Sequence, residues 1–311
     1  MLGTTTLENW DTGEHRRTAL HNFDNLIRFG MTARGAKVRE LGKVEDFRIA
    51  HLPTVKVLTE SNPFSAIVVV KDGNIVFERY ATDFGPNRAH SCQSTTKSMI
   101  NLLVGKLVEE GKLDLTKKVK EFIPQMGAGY ADATIQQVID MDVVNDYTEG
   151  YGDPNSPIRL HEAVSGWRPA RADAGNSLRD YLTTIASSDI TNKTGKYQYK
   201  STNTDVAGWI VERAAGTPLR DLVRDILVAA GTENVAFIGT DSTGFPGTMG
   251  SMVLTARDFA RYGMLFLAGG IGVNGEKIGS ADFIKATLAR KGAPCPVSTR
   301  IAMPSIQMAE H

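Results

Sequence analysis

The chain carries 311 residues, enough for one large domain or two intimately joined ones around a sizeable core. Its 35 Lys and Arg balance 35 Asp and Glu, which removes the basic surplus that a nucleic-acid partner requires and favours a small or neutral ligand. Cys92 and Cys295 lie far apart without Cys-x-x-Cys spacing and read as free buried thiols in a reducing compartment; no segment reaches the apolar length of a membrane span, so a cytoplasmic protein without a membrane partner is expected.

Residues 1–60 are mixed and charged, with Trp10, Phe23, Leu26 and Ile27 as the anchors by which this stretch would wrap the body. From Phe64 the pattern becomes β-branched, and residues 66–70 and 75–80 flank Asp72-Gly73 as a two-stranded hairpin. Met99, Ile100, Leu102, Leu103, Val104, Leu107 and Val108 then give the broad apolar face of a helix that Gly111 stops, with Ser94 in its first turn. Thr134 caps a short helix over 135–141, and residues 142–176, rich in Gly, Pro, Asp and aromatics, read as a long loop of the kind that is either functional or disordered. Helices follow over 178–186, 203–215 and 218–230, the last opened by Thr217-Pro218 and ended by Gly231. Thr255 with Asp258 forms a capping-box start for a helix over 259–267, and Ser280 caps a final one over 281–290. Residues 292–311 hold three prolines and no strand or helix period, and read as irregular.

The chemistry concentrates in Ser94-Thr95-Thr96-Lys97. Residues three apart stack on one helical face, so the Lys97 amine reaches the Ser94 hydroxyl and can take its proton, the chemistry of a serine acyl-enzyme built without histidine. A helix N-terminus adds free N–H groups and partial positive charge, which favour an oxyanion and discourage protonation of a nearby amine. The competing reading is a helix cap followed by a solvated lysine. Tyr199-Lys200-Ser201 is the second element: a phenol beside a lysine can relay a proton, against the simpler reading of a surface phenol and a helix cap. There is no Gly-x-Ser-x-Gly elbow and no glycine-rich phosphate loop. The six histidines show no His-Glu-x-x-His or other metal spacing, so no metal or cofactor is expected, and His90 reads as a loop histidine.

Together the two strings resemble the serine β-lactamase and penicillin-recognising family. Met141-Asp-Val-Val-Asn-Asp-Tyr147, Tyr151-Gly-Asp-Pro154, Ser165-Gly-Trp-Arg168, Tyr197-Gln-Tyr-Lys-Ser-Thr-Asn-Thr-Asp-Val206 and Gly208-Trp-Ile-Val-Glu-Arg213 look like its branch of amidases for 6-aminohexanoate oligomers, over roughly residues 46–290. The resemblance implies an α+β, β-lactamase/transpeptidase-like fold: an antiparallel sheet flanked by helices, in one module. Its α/β part would span about 46–113 and 232–311, its helical and loop insert about 114–231, and residues 1–45 would be an N-terminal extension. It also implies that Ser94 is the nucleophile, Lys97 its base and Tyr199 the proton donor to the leaving group. Tyr151 and Glu162 fall where the branch recognises the substrate's amide nitrogen and free amine; Glu replaces the usual Asp and reaches one methylene further. Met249 falls on an asparagine position and cannot make the same hydrogen bonds. Trp167 and Ser201 complete the implied substrate-binding set. A small-molecule amide or ester substrate is implied, and a homodimer is compatible with it.

In that family the chain continues into strands that complete the sheet, one bearing Lys-Thr-Gly or His-x-Gly and supplying the second oxyanion N–H. Residues 291–311 contain no such motif, the expectation for a truncated or frame-shifted relative. Loss of one oxyanion donor alone costs roughly 2.7–4 kcal/mol, and missing strands leave an open sheet edge. Three functions compete: an amidase; an esterase or weak β-lactamase; and a catalytically impaired module that traps acyl groups or binds ligands.

Overall fold

The amino-terminal stretch is built into the body through its anchors. In the computed structural model, which describes residues 2–188 and 197–289, α1 (His15–Leu20) and α2 (Phe23–Leu26) bury Ala19, Phe23 and Leu26, and Trp10 and Ile27 join them. The next element, β1 (Gly30–Ala33), pairs antiparallel with a strand from the far end of the chain. Residues 1–45 are therefore less separate than an extension: they supply an edge strand. A short β2 (Gly42–Lys43) and two helices, α3 (Phe47–His51) and α4 (Pro53–Glu60), lead into the hairpin of β3 (Ala66–Lys71) and β4 (Asn74–Tyr80). Asp72 and Gly73 take φ of 51° and 75°, the left-handed pair that a tight type I′ turn requires.

After β5 (Ala89–Ser91) the chain makes a 3-10 turn over Gln93–Lys97 and then α5 (Ser98–Glu109), whose Met99, Leu102, Leu103, Val104 and Leu107 are buried. Ser94 thus lies on a tight turn ahead of the α-helix, and His90 lies on a strand rather than in a loop. Helices alone make up the regular structure of the described insert: α6 (Val119–Phe122), α7 (Ile135–Ile139), α8 (Pro157–Val164), α9 (Leu178–Thr183), α10 (Ser201–Ala215) and α11 (Leu219–Ala230). Thr134 and Gln137 cap α7 reciprocally, as the capping-box pattern requires. α8 corrects the reading of 142–176 as one loop. Its inward residues include His161 and Glu162, buried through polar partners, so no aliphatic period announces it. In α10 every residue from Ser201 to Val211 is buried, which makes it the axis of the helical layer.

The chain returns to sheet with β6 (Ala236–Gly239) and β7 (Met252–Thr255), then closes its described part with α12 (Ala256–Leu267) and α13 (Ala281–Leu288), capped by Thr255 and Ser280. The strands form two sheets instead of one: an antiparallel β1-β6-β7-β5, and β2-β4-β3 with β3 at its edge. Ala66 to Val70 of β3 are all half-buried, an apolar edge of the kind that invites strand pairing. The tail 292–311 and Cys295 lie outside the described residues. Cys92 is a free thiol that burial pushes up to about 12, which makes it inert as a nucleophile at neutral pH. No helix among the described residues is long and apolar enough to cross a membrane.

The contact between α1 and β5 yields a prediction. His21 is buried, with its Nε2 2.9 Å from Ser65 Oγ and its ring 4.5 Å from Phe84 and 5.1 Å from His90. Burial, then His90, Arg17 and Arg88, lower its pKa from 6.5 to about 4, with Asp83 alone opposing. Between those values the unfolded chain binds a proton that the folded chain excludes, so stability is lost as pH falls through this window. The urea unfolding midpoint should drop between pH 7 and pH 5, and His21→Gln should reduce that drop; an equal drop in both proteins would count against the assignment.

Candidate active site

Strand pairing places the serine. Ser91 of β5 is opposite Val253 of β7, the Cys92 N–H donates to the Met252 carbonyl at 2.8 Å, and the Met252 N–H donates to Thr96 Oγ1 at 3.0 Å. Between these ties Gln93 adopts a φ of 44°, an unusual left-handed geometry for a side-chain-bearing residue. Its Nε2 donates to Ser91 Oγ at 2.7 Å. The chain reverses there and delivers Ser94 to the mouth of a cleft of about 390 Å³.

Two donors converge on Ser94 Oγ. Lys97 Nζ lies 3.0 Å away and Tyr199 Oη 2.6 Å away. Lys97 Nζ also donates to the Met249 carbonyl and sits 5.1 Å from the Tyr199 ring centre. Tyr199 is aimed by the segment around it. The Gln198 N–H donates to the Met141 carbonyl at 2.6 Å, while Lys200 Nζ donates to Asn145 O, Asn145 Oδ1 and Tyr147 O at 3.0, 2.8 and 2.7 Å. Lys200 turns into the 145–147 segment as a buried brace, its pKa pushed down to about 8 by burial.

The five other site residues named from sequence can be placed as well. Tyr151, Glu162, Trp167, Ser201 and Met249 line the same cleft as Ser94. The Tyr151 hydroxyl donates to Glu149, whose other oxygen accepts from the Ser201 N–H, so both residues are tied to the start of α10. Burial and the Glu149 carboxylate raise the Tyr151 pKa. Trp167 packs edge-on against Phe23 at 4.9 Å and Trp10 at 5.9 Å. Gly250 permits this approach: a Cβ there would stand 2.8 Å from the Trp167 ring. Met249 buries its side chain with these aromatics and uses its backbone polar groups on the site.

Glu162 departs most from its sequence reading. Its Oε2 accepts from Arg159 Nη1 at 2.9 Å and Arg168 Nε at 2.5 Å, and the same arginines reach Asp11 Oδ2 at 2.7 and 2.5 Å. A carboxylate shared by two guanidiniums is neutralised and is not a free counter-charge for a substrate amine. Burial raises the Asp11 pKa, but the Arg159 hydrogen bond and both arginine charges outweigh it and hold the group below the usual range.

Asp205 and His161 escaped the sequence reading. Asp205 Oδ1 accepts from Thr248 Oγ1 at 2.7 Å and the Met249 N–H at 3.0 Å, Oδ2 lies 2.8 Å from His161 Nε2, and His161 Nδ1 lies 3.0 Å from Tyr147 Oη. Asp205 stands inside a quoted motif, but only three-dimensional pairing reveals its link to the peptide that holds Lys97. Among the described residues no group of three His, Cys, Asp or Glu gathers to hold a metal ion.

With this geometry in view, the Beta-lactamase family profile matches residues 56–292. The chain belongs to the beta-lactamase family. It is 32% identical over 291 residues to the 6-aminohexanoate-dimer hydrolase of Paenarthrobacter ureafaciens, covering 92% of this chain and 73% of that one. A solved structure assigned as a 6-aminohexanoate-dimer hydrolase from Bacillus anthracis superposes with a TM-score of 0.79 at 22% identity, covering 92% of this chain and 77% of that one. The penicillin binding protein of Bacillus halodurans does so with a TM-score of 0.56 at 14% identity, over 75% and 77%. This member of the family is a hydrolase of the β-lactamase fold with mixed helix and antiparallel sheet.

The Asp205 network is testable. Asp205→Ala strands three buried donors and should cost about 3 kcal/mol of unfolding free energy. Asp205→Asn keeps an acceptor for Thr248 and the Met249 N–H and loses only the one facing His161, so it should be milder in urea denaturation and leave kcat closer to that of the unaltered protein than Asp205→Ala does.

Proposed function

We propose that the chain is a serine hydrolase that cleaves amide or ester bonds through an acyl-enzyme on Ser94. The convergence of Lys97 Nζ and Tyr199 Oη on Ser94 Oγ carries this reading. With one N–H engaged by the Met249 carbonyl, a neutral Lys97 amine is oriented to present its lone pair to the serine hydroxyl. Ser94 Oγ bonds to the substrate carbonyl carbon while Lys97 takes the hydroxyl proton. The oxyanion forms at the start of the 3-10 turn, where N–H groups lack intrahelical acceptors and the Ser94 N–H can stabilise it. The bond to the leaving group then breaks, with Tyr199 donating its proton to the departing nitrogen or oxygen and regaining from Lys97 the proton that Lys97 took from Ser94. Water attacks the acyl-enzyme along the reverse proton path, releasing the acid and restoring Ser94.

The family relation supports an amidase resembling 6-aminohexanoate-dimer hydrolase. A second reading, esterase, is favoured by the apolar wall of Trp10, Phe23, Trp167 and Met249. Relative rates on the linear 6-aminohexanoate dimer, 4-nitrophenyl butyrate and a chromogenic cephalosporin separate amidase, esterase and β-lactamase.

Ser94→Ala should abolish turnover of 4-nitrophenyl butyrate with an unchanged circular dichroism spectrum. Tyr199→Phe should lower kcat by about 10²–10⁴-fold, the range for a positioned acid–base group. A fluorophosphonate probe should label Ser94; unchanged turnover in Ser94→Ala would refute the mechanism, and labelling without turnover would favour an acyl-trapping module.

A further inference from the structure

Tyr199 points at Ser94 with little packing of its own to hold it. It is 40% exposed, and among the described residues its ring meets Tyr197 at 6.5 Å between centres and the Lys97 amine at 5.1 Å. Residues 197–200 belong to no helix or strand, so the direction of the phenol depends on ties made by the residues around it. Those ties are the Gln198 N–H on the Met141 carbonyl, the Ser201 N–H on Glu149, and the side chain of Lys200. Lys200 is 4% exposed, and its Nζ donates to the Asn145 carbonyl at 3.0 Å, Asn145 Oδ1 at 2.8 Å and the Tyr147 carbonyl at 2.7 Å. The Asn145 amide is fixed in this orientation, since Oδ1 also accepts from the Tyr147 N–H and Nδ2 donates to the Gly129 carbonyl, both at 3.2 Å. Three acceptors match the three N–H groups of an ammonium one for one. A neutral amine has two N–H groups and a lone pair, and it turns that lone pair on one of the three oxygens, which loosens the brace.

We propose that Lys200 is a positioning residue for proton donation to the leaving group: its ammonium, shared by Asn145 and Tyr147, holds the backbone that aims Tyr199 at Ser94, and turnover of poor leaving groups falls when that proton is lost. The inference rests on the acyl-enzyme reading with Tyr199 as the donor. Among the described residues the charges acting on Lys200 are Asp146 and Glu149, which favour the ammonium; burial outweighs them and brings the pKa from 10.5 to about 8. The Tyr147 and Tyr130 phenols stay protonated across this range because burial raises both, and the His161 and Asp205 pair lies beyond the Tyr147 hydroxyl. The ammonium therefore prevails at pH 7 and is lost as pH rises through 8. Between pH 8 and 10.5 the unfolded chain keeps a proton that the folded chain has released, so the contribution of Lys200 to stability rises with pH. Its effect on activity over this range runs the other way and is not unfolding.

Two esters with one acyl group separate this role from a merely structural one: 4-nitrophenyl butyrate, whose phenolate leaves as a stable anion, and ethyl butyrate, whose alkoxide needs a proton to leave. At pH 7 Lys200→Met should lower kcat/KM for ethyl butyrate by about tenfold more than for 4-nitrophenyl butyrate, part of the contribution of a positioned acid, with fluorophosphonate labelling of Ser94 retained. In the unaltered protein the ratio of kcat/KM for ethyl butyrate to that for 4-nitrophenyl butyrate should fall as pH rises through 8 while circular dichroism stays constant. Lys200→Arg, charged at every pH, should remove that fall. An equal loss on both esters in Lys200→Met, or a ratio that holds from pH 7 to pH 9 in the unaltered protein, overturns the proposal; should Lys200→Met not fold, the pH profile decides alone. If neither ester turns over in the unaltered protein, the acyl-enzyme reading fails instead. Crystal structures at pH 7 and pH 9.5 then test the brace: Tyr199 Oη should reach Ser94 Oγ at the lower pH and stand away from it at the higher, and contact at both pH values overturns it.

Discussion

The arrangement turns on one buried carboxylate. Asp205 leaves the first turns of α10 and ties the 248–249 peptide to α8 through His161. That peptide in turn fixes Lys97 through the Met249 carbonyl, and Lys97 meets Ser94. A buried carboxylate is expensive to desolvate and is tolerated only where several donors compensate it. Here three do: a hydroxyl and a backbone N–H from the adjacent Thr248 and Met249, and the imidazole of His161 on α8. The packing of the helical layer and the placement of the amine are thus one constraint.

The second organising element is the ring of Asp11, Arg159, Glu162 and Arg168. It clamps the amino-terminal stretch onto α8, and the aromatic trio of Trp10, Phe23 and Trp167 packs beside it. Ionic closure and apolar packing therefore act on the same seam. Gly250 keeps it closed by leaving room for the Trp167 ring above the backbone of Gln93.

What the sequence disclosed, and what it hid, follows the range of the interactions. Ser94 and Lys97 are three residues apart, and their meeting is a local consequence of helical geometry. The hairpin was legible because Asp72-Gly73 encodes a turn, and the α7 and α12 starts because capping pairs are local too. Tyr199 entered through motif resemblance, and its approach to Ser94 depends on Met141, Asn145 and Tyr147, which no short window contains. α8 was hidden because polar residues with distant partners occupy its buried face. β6 and β7 are four residues each and owe their pairing to β1 and β5 elsewhere in the chain. Glu162 was read for its charge; only the fold shows that Arg159 and Arg168 cancel it.

The seam between the amino-terminal stretch and the body has a consequence for how such a protein diversifies. The proton-transfer atoms belong to the turn after β5 and the start of α10, whereas Trp10, Asp11, Thr12 and Arg16 form a rim contributed by a different stretch. Substitutions at the exposed Thr12 and Arg16 would reshape what the cleft admits without moving the groups that break the bond. Chemistry and selectivity are thereby encoded in pieces of polypeptide free to drift at different rates, and swapping the leading residues between relatives becomes a direct route to new preferences.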